Sequence, residues 1–319
     1  MLGSFRFALA LTVAVYHSGF TPFGWQIGVS AVVAFYVISG YAISGLVTSK
    51  FPSVADIPRF YMERVIRLGP QYYIYLALSA LMVLGFGITS NFTVGKLTSL
   101  VLFAHLTVVP LLLLLTRKFT PDGNFVLNPP AWSLGTEACF YAIFPWLLLS
   151  RTAVYTAASF GFIVLHLATA GILDPDRFGY RLIFGVIVFF LAGHFIQTKD
   201  WRALGVLCAL LIVNFYAVNL RYGFTREYNW DIYRGALLGI VGVLAVIRLP
   251  GQRIDAMLGN VSYGLYLAHF PILLLLGHCG IDKALFGFPM IVAGLATVSG
   301  FVTYWFVERP TLDLRRSWR

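Results

Sequence analysis

The sequence predicts an all-α protein built as a polytopic transmembrane helical bundle, with about ten spanning helices and one further segment that is re-entrant or kinked. Three observations carry that reading: a high apolar share, few charges, and apolar stretches of spanning length that follow one another almost end to end. Of the 319 residues, 59% are apolar and 11% are charged, against roughly 25% charged in soluble domains. The mean hydropathy is +0.81. A hydrocarbon core about 30 Å thick needs roughly 20 mostly apolar residues per helical crossing. Length therefore does not convert into a number of soluble domains, and residues 1–319 read as one transmembrane domain.

Taken in order, eleven apolar segments begin near Phe5, Gln26, Pro70, Leu97, Ala131, Val154, Arg181, Trp201, Ile232, Leu258 and Phe286. The first follows Arg6 but is a poor cleaved signal, because Tyr16, His17 and Ser18 place polar groups in its outer half. The second and the last are the clearest spans. Between the second and third runs the longest polar connection, Lys50 to Gly69, which is too short to fold alone. The stretch from Leu97 to Phe119 is interrupted by Pro110 and closed by Arg117 and Lys118, so it is the segment expected not to cross. Irregular backbone at that depth must be packed against protein or line a wet cavity. Asn128, Pro129 and Pro130 end any earlier helix and precede the fifth segment. No internal repeat or low-complexity stretch is evident.

The formal charge of +10 does not point to nucleic acid, since the basic residues are scattered through short connections and form no dense patch. Orientation explains them better, because cytoplasmic connections are enriched in Lys and Arg. Lys50, Arg59, Arg64 and Arg67 form one such group, and Arg309, Arg315, Arg316 and Arg319 form another. Both belong inside, and with the N-terminus also inside the number of crossings is even. Cys139, Cys208 and Cys279 are odd in number, far apart and apolar in context, so neither a disulfide nor a metal site is expected.

Ionisable groups inside spans are costly and are functional candidates by default. Arg6 and His17 are eleven residues apart, about three full helical turns and about 16.5 Å of rise. They share one face but in a straight helix are too distant to bond directly, with Arg6 expected near the cytoplasmic surface and His17 deep in the membrane on the same stripe. The plainer reading is a snorkelling arginine and a packing histidine. Arg64 and Arg67 are helical neighbours that could clamp a phosphate-bearing ligand or anchor to lipid phosphates. Glu137, with Ser133 and Tyr141 one turn to either side, should face a polar cavity or a cation. Ser262, Tyr266 and His269 align on one face and either line a cavity or knit helices together. His105, His166, His194 and His278 lack comparable company and read as satisfied core or interfacial side chains.

At these residues the sequence resembles the acyltransferase-3 family of bacterial membrane acyltransferases. The matching features, in family order, are Arg6 and His17 in the first span, Phe35-Tyr-Val-Ile-Ser-Gly40-Tyr41 in the second, and Arg64-Val-Ile-Arg67-Leu-Gly-Pro70 after it. They continue with Trp132-Ser-Leu, Glu137 and Phe-Tyr141, then Ser262-Tyr263, Leu-Tyr266-Leu and His269, then Val307-Glu308-Arg309-Pro310. The resemblance implies transfer of an acyl group, usually acetyl from cytoplasmic acetyl-CoA, to a glycan hydroxyl at the outer face. It makes His17 catalytic, with Glu137 as a second catalytic candidate, and Arg6, Arg64 and Arg67 the donor-binding group. Trp132, Tyr141, Tyr266 and His269 are the expected acceptor-lining residues. Some relatives carry a further periplasmic domain, and none is expected in this chain.

The implied partners are the acyl-CoA donor, a glycan acceptor, membrane lipids and, as a possibility of assembly, further copies of the chain. The implied location is the bacterial inner membrane with both termini cytoplasmic. A neutral imidazole, with a reference pKa near 6.5, can accept a hydroxyl proton; transient acylation of His17 is the other route. A transporter or flippase for a glycan is the rival from a different class, since intramembrane charge and broken helices also mark permeation routes. A non-catalytic scaffold would leave Arg6 and His17 unexplained. The identity of the acceptor is not encoded in these residue types.

Overall fold

A computed structural model describes residues 1–111, 125–222, 229–281 and 283–311. Each predicted apolar segment carries one α-helix: α1 Leu2–His17, α2 Ile27–Lys50, α3 Ile57–Ala80, α4 Ser99–Thr107, α5 Trp132–Leu147, α6 Arg151–Thr169, α7 Ile183–Gln197, α8 Trp201–Tyr222, α9 Asn229–Val246, α10 Arg253–His278 and α11 Phe288–Thr303. Among the described residues the only β contact is an isolated bridge between Thr93 and Phe125. Eight of the helices, some with short π or 3-10 extensions, are long and apolar enough to cross a membrane. The helices α1 and α5 have 16 residues each, about 24 Å of rise, and bring the count of spans to about ten. The nine residues of α4 rise only about 13.5 Å and cannot cross a bilayer core.

The helix α4 ends where Val108 adopts φ 67°, a backbone conformation costly for a β-branched residue. Its last carbonyls are not left bare. Tyr72 and Tyr73 of α3 donate to the carbonyls of His105 and Leu106 at 2.6 and 2.7 Å, as non-spanning backbone at membrane depth requires. The remainder of the segment expected to be re-entrant, residues 112–119, lies outside the described residues, as do Arg315, Arg316 and Arg319.

Buried α2 is the hub, packed on α7, α9 and α1. Lipid offers no hydrophobic drive between spans, so close backbone approach through small residues supplies the attraction. A Cβ on Gly40 would lie 1.8 Å from the Phe190 carbonyl oxygen, and one on Gly193 would lie 2.0 Å from that of Val37. The second tight pair is α1 and α10, where a Cβ on Gly3 would meet the Asp255 carbonyl at 1.9 Å. There Asp255 accepts from the Ser4 backbone N–H at 2.7 Å and its hydroxyl at 2.8 Å. A carboxylate so placed satisfies orphan donors and complements the positive end of the α1 dipole. At the start of α8, Asp200 accepts from Tyr155 at 2.6 Å and from the Ala203 N–H at 3.1 Å. The Tyr155 hydrogen bond, foremost, holds its carboxyl below the usual carboxylate range. The outer surface is studded with exposed Leu, Phe, Val and Ile side chains, including Leu220, Phe286 and Phe306.

One expectation is corrected. The polar connection does not extend from Lys50 to Gly69, because α3 begins at Ile57 and runs through Pro70 to Ala80. Only residues 51–56 connect, closed by a Ser53–Asp56 capping box. Gly69-Pro70 reads as a stop in sequence, since proline removes a backbone donor. In a packed bundle, neighbours re-satisfy the backbone around such a break, and Tyr263 of α10 donates to the Leu68 carbonyl at 3.0 Å. Arg59, Arg64 and Arg67 therefore ride on a helix and hold fixed directions.

Candidate active site

Between α1, α2, α5 and α10 lies a cavity of about 60 Å³, walled by Arg6, Ser39, Ser133, Glu137, Ser262 and Tyr266 among others. At roughly 10–15 Å³ of probe-occupied volume per water, it has room for about four waters. Every polar wall residue except Tyr36, Ser39 and Tyr263 was singled out from sequence. Glu137 accepts from Ser39 Oγ at 2.7 Å and from the Tyr141 hydroxyl one turn along α5. Arg6 enters from α1, its Nε buried and without a hydrogen bond among the described residues. A guanidinium in such surroundings needs a compensating negative charge, and Glu137 is the carboxylate on the same cavity wall.

Toward the starts of α1 and α3 the cavity is flanked by two more arginines. Arg64 pairs with Glu63, and its guanidinium carbon lies 5.7 Å from the Tyr141 ring centre and 6.0 Å from that of Phe60. Arg67 pairs with Glu308, and Gln71 donates to the same carboxylate at 2.8 Å. Glu308 is 2% exposed, so this pair ties α3 to the π-helical extension of α11, Tyr304–Glu308. An apolar groove of about 380 Å³ runs along α3 and α5 from Tyr61 and Arg64 past Leu68 and Tyr141 to Tyr73. Tyr141 thus lines this groove while bonding to Glu137, which lines the cavity.

In the opposite direction, past Tyr266 on the cavity wall, lie two imidazoles. His17, the last residue of α1, is exposed, whereas His269 of α10 is completely buried. Nδ1 of His17 lies 2.8 Å from Nε2 of His269, and the rings stack with centres 5.1 Å apart and planes inclined by 19°. The Tyr266 ring meets His269 edge-on at 5.7 Å. Its hydroxyl lies 2.8 Å from Ser133 Oγ and donates to the Pro130 carbonyl at 3.1 Å. Polar side chains therefore form one column: Arg64 and Arg67, then Glu137, Tyr141 and Arg6, then Ser133 and Tyr266, then His269 and His17.

Of the four expected acceptor-lining residues, Tyr266 faces the cavity, Tyr141 faces the groove and His269 stacks on His17. Trp132 is 6% exposed, with the Arg181 guanidinium 4.4 Å above its ring and Tyr180 packed edge-on at 4.9 Å. Ser39, Glu63 and Glu308 were not singled out as site residues in sequence. Ser39 and Glu308 did sit inside quoted motifs, but their partners lie 98 and 237 positions away. Among the described residues no cluster of three His, Cys, Asp or Glu side chains has the proximity to hold a metal ion.

An apolar-skinned helical bundle with a succession of polar side chains in its interior defines a polytopic membrane protein with an internal polar site. This chain belongs to the acyltransferase-3 family: the family's acyltransferase domain matches residues 3–308. It is 25% identical over 313 residues to the peptidoglycan O-acetyltransferase OatA of Listeria monocytogenes, covering 85% of this chain and 48% of that one. It is 23% identical over 328 residues to the O-acetyltransferase OatA of Staphylococcus aureus, covering 89% and 52%. A protein of Aquifex aeolicus described as uncharacterized is 33% identical over 154 residues, 44% of this chain and 68% of that one. The chain spans about half the length of the two O-acetyltransferases. No solved structure matches it.

Proposed function

We propose that this chain is a membrane O-acyltransferase that moves an acyl group, acetyl foremost, from cytoplasmic acyl-CoA to a hydroxyl of a cell-surface or exported glycan. The observation that carries the reading is the succession of polar side chains from Arg64 to His17 within an apolar bundle. Family membership supports the chemistry, and the O-acetyltransferase names of the relatives support the acetyl group. The peptidoglycan named for the Listeria protein supports a glycan acceptor. The chain then resides in the bacterial cytoplasmic membrane with both termini inside, the orientation favoured by Lys50, Arg59, Arg64 and Arg67.

In this reading Arg64, Arg67 and Arg6 attract the donor's phosphates, and the groove along α3 and α5 takes its pantetheine arm. The acceptor approaches from the His17 end. His17 Nε2 removes the hydroxyl proton as the oxygen attacks the thioester carbonyl. The carbon–sulfur bond breaks, and the imidazolium returns its proton to the departing thiolate, giving an O-ester and free CoA thiol. Glu137 keeps Arg6 charged and in place.

The test uses protein in lipid nanodiscs, radiolabelled acetyl-CoA and soluble peptidoglycan fragments. Label transfer by the native chain that disappears in His17→Ala supports the reading. Movement of glycan across proteoliposomes with no covalent label would favour the transporter instead.

A further inference from the structure

The catalytic reading leaves His269 without a task, yet its placement is specific. Its ring is fully buried, while His17 beside it is exposed. The 2.8 Å contact between His17 Nδ1 and His269 Nε2 carries a single hydrogen, and that hydrogen can belong to either ring. The two alternatives have opposite consequences for His17. If His17 Nδ1 donates, its Nε2 holds the lone pair; if His269 Nε2 donates, the neutral His17 must carry its proton on Nε2 and cannot act there as a base.

The buried side of His269 decides between them. Its Nδ1 is buried without a hydrogen bond among the described residues, and with Nε2 taken up by His17 it is the ring nitrogen left to the carbonyls of Leu265 and Tyr266, one turn back on the same helix. A lone pair on Nδ1 would face carbonyl oxygens and be repelled, whereas an N–H there is attracted by them. The hydrogen of His269 accordingly sits on Nδ1, its Nε2 is an acceptor, and His17 Nδ1 donates to it. His17 Nε2 is left with its lone pair and without a hydrogen bond from the described residues.

We propose that His269 is a positioning residue that fixes the tautomer and ring orientation of His17, leaving Nε2 of His17 as the proton acceptor. The role is the one a carboxylate plays behind a catalytic histidine, filled here by a neutral imidazole. A second neutral ring suits this depth, since a carboxylate would add an uncompensated charge. The catalytic consequence rests on the acyltransferase reading given above; the tautomer does not.

The experiment therefore has two readouts on the full-length protein in nanodiscs. Nitrogen-15 NMR with ring-labelled histidine, with His17 assigned by its loss in His17→Ala, should give a protonated Nδ1 and a bare Nε2 for His17. That preference should vanish in His269→Phe, which keeps a buried ring but no acceptor. In the transfer assay His269→Phe should lower kcat about 10- to 100-fold, the usual scale for a group that orients another, with little change in the donor KM. His269→Gln, whose Oε1 reaches about as far as Nε2, should recover most of the loss. A protonated Nε2 on native His17, an unchanged tautomer in His269→Phe, or equal kcat losses in the Phe and Gln variants at matched folded yield would each overturn the proposal. Absence of transfer by the native protein would sink the enzymatic reading while leaving the tautomer measurement to stand or fall alone.

Discussion

Replacing His17 with alanine removes one exposed imidazole from the last turn of α1, whose contact in the fold is with His269. The expected outcome is a folded protein less stable by about 1–3 kcal/mol, the cost of leaving buried His269 Nε2 without its partner, with transfer reduced by about 10²- to 10⁴-fold, the range for a lost general base. Radiolabel transfer and a detergent melting curve measure the two separately. The arginines behave differently from each other. Arg64→Ala opens the groove mouth beside Tyr141, and its expected signature is a raised KM for acyl-CoA with kcat less affected. Arg67→Ala strands Glu308, which is 2% exposed. Breaking a buried pair by removing one partner costs about 3–5 kcal/mol, so this variant should lose folded yield before donor affinity can be compared. Arg67→Met combined with Glu308→Gln should recover part of that stability. A stable Arg67→Ala protein would show that the pair is not structural.

At the scale of elements, the bundle depends on backbone contacts that leave no space for side chains. Gly40→Leu would drive a side chain into the Phe190 carbonyl, only 1.8 Å from where its Cβ must lie. Separation of α2 from α7 is the expected result, read as loss of the monodisperse peak in size-exclusion chromatography. Asp255→Ala is a milder lesion. It removes the acceptor for two Ser4 hydrogen bonds and should lower stability by about 0.5–2 kcal/mol, the cost of losing a helix cap. Helix existence was legible because apolar runs of spanning length have few other fates. The start of α3 was not, because Gly69-Pro70 is a strong local stop signal that packing by α10 and α11 overrides. Gln71 and Tyr75 are bonded across to Glu308 and to Ser299 and Thr303, and such cross-links hold the helix together on both sides of the proline.

For the whole molecule, the column gives the bundle two chemically different ends. Helices alternate in direction, so His17, Gln26 and the start of α9 gather at one end: Gln26 N–H donates to Asp231 at 3.1 Å. Met1, Val246 and Asp255 gather at the other, with the Met1 ammonium 3.1 Å from the Val246 carbonyl. In a background lacking Cys139, Cys208 and Cys279, a cysteine at His17 should react with an impermeant maleimide from outside intact cells. One at Arg253 should react only after the membrane is breached. Labelling in the reverse order would invert the proposed route of donor and acceptor. A cavity of about 60 Å³ is too small for a thioester and a sugar hydroxyl together.

Composition and periodicity determined the all-α membrane bundle and, the start of α3 excepted, the approximate positions of its helices; polar groups inside the spans and the family resemblance marked the motif residues that gather along its axis. Those features are local or additive: a run of twenty apolar residues commits to a helix in lipid whatever surrounds it, because its backbone has no other partners there. Only the tertiary structure decided who faces whom. His17 met His269, Gln71 met Glu308 and Ser39 met Glu137 across separations of 252, 237 and 98 positions. Periodicity fixes the face on which a side chain sits, but not which neighbouring helix that face will meet; glycine contacts a few ångströms across choose the neighbour, and the neighbour gives each buried charge its role.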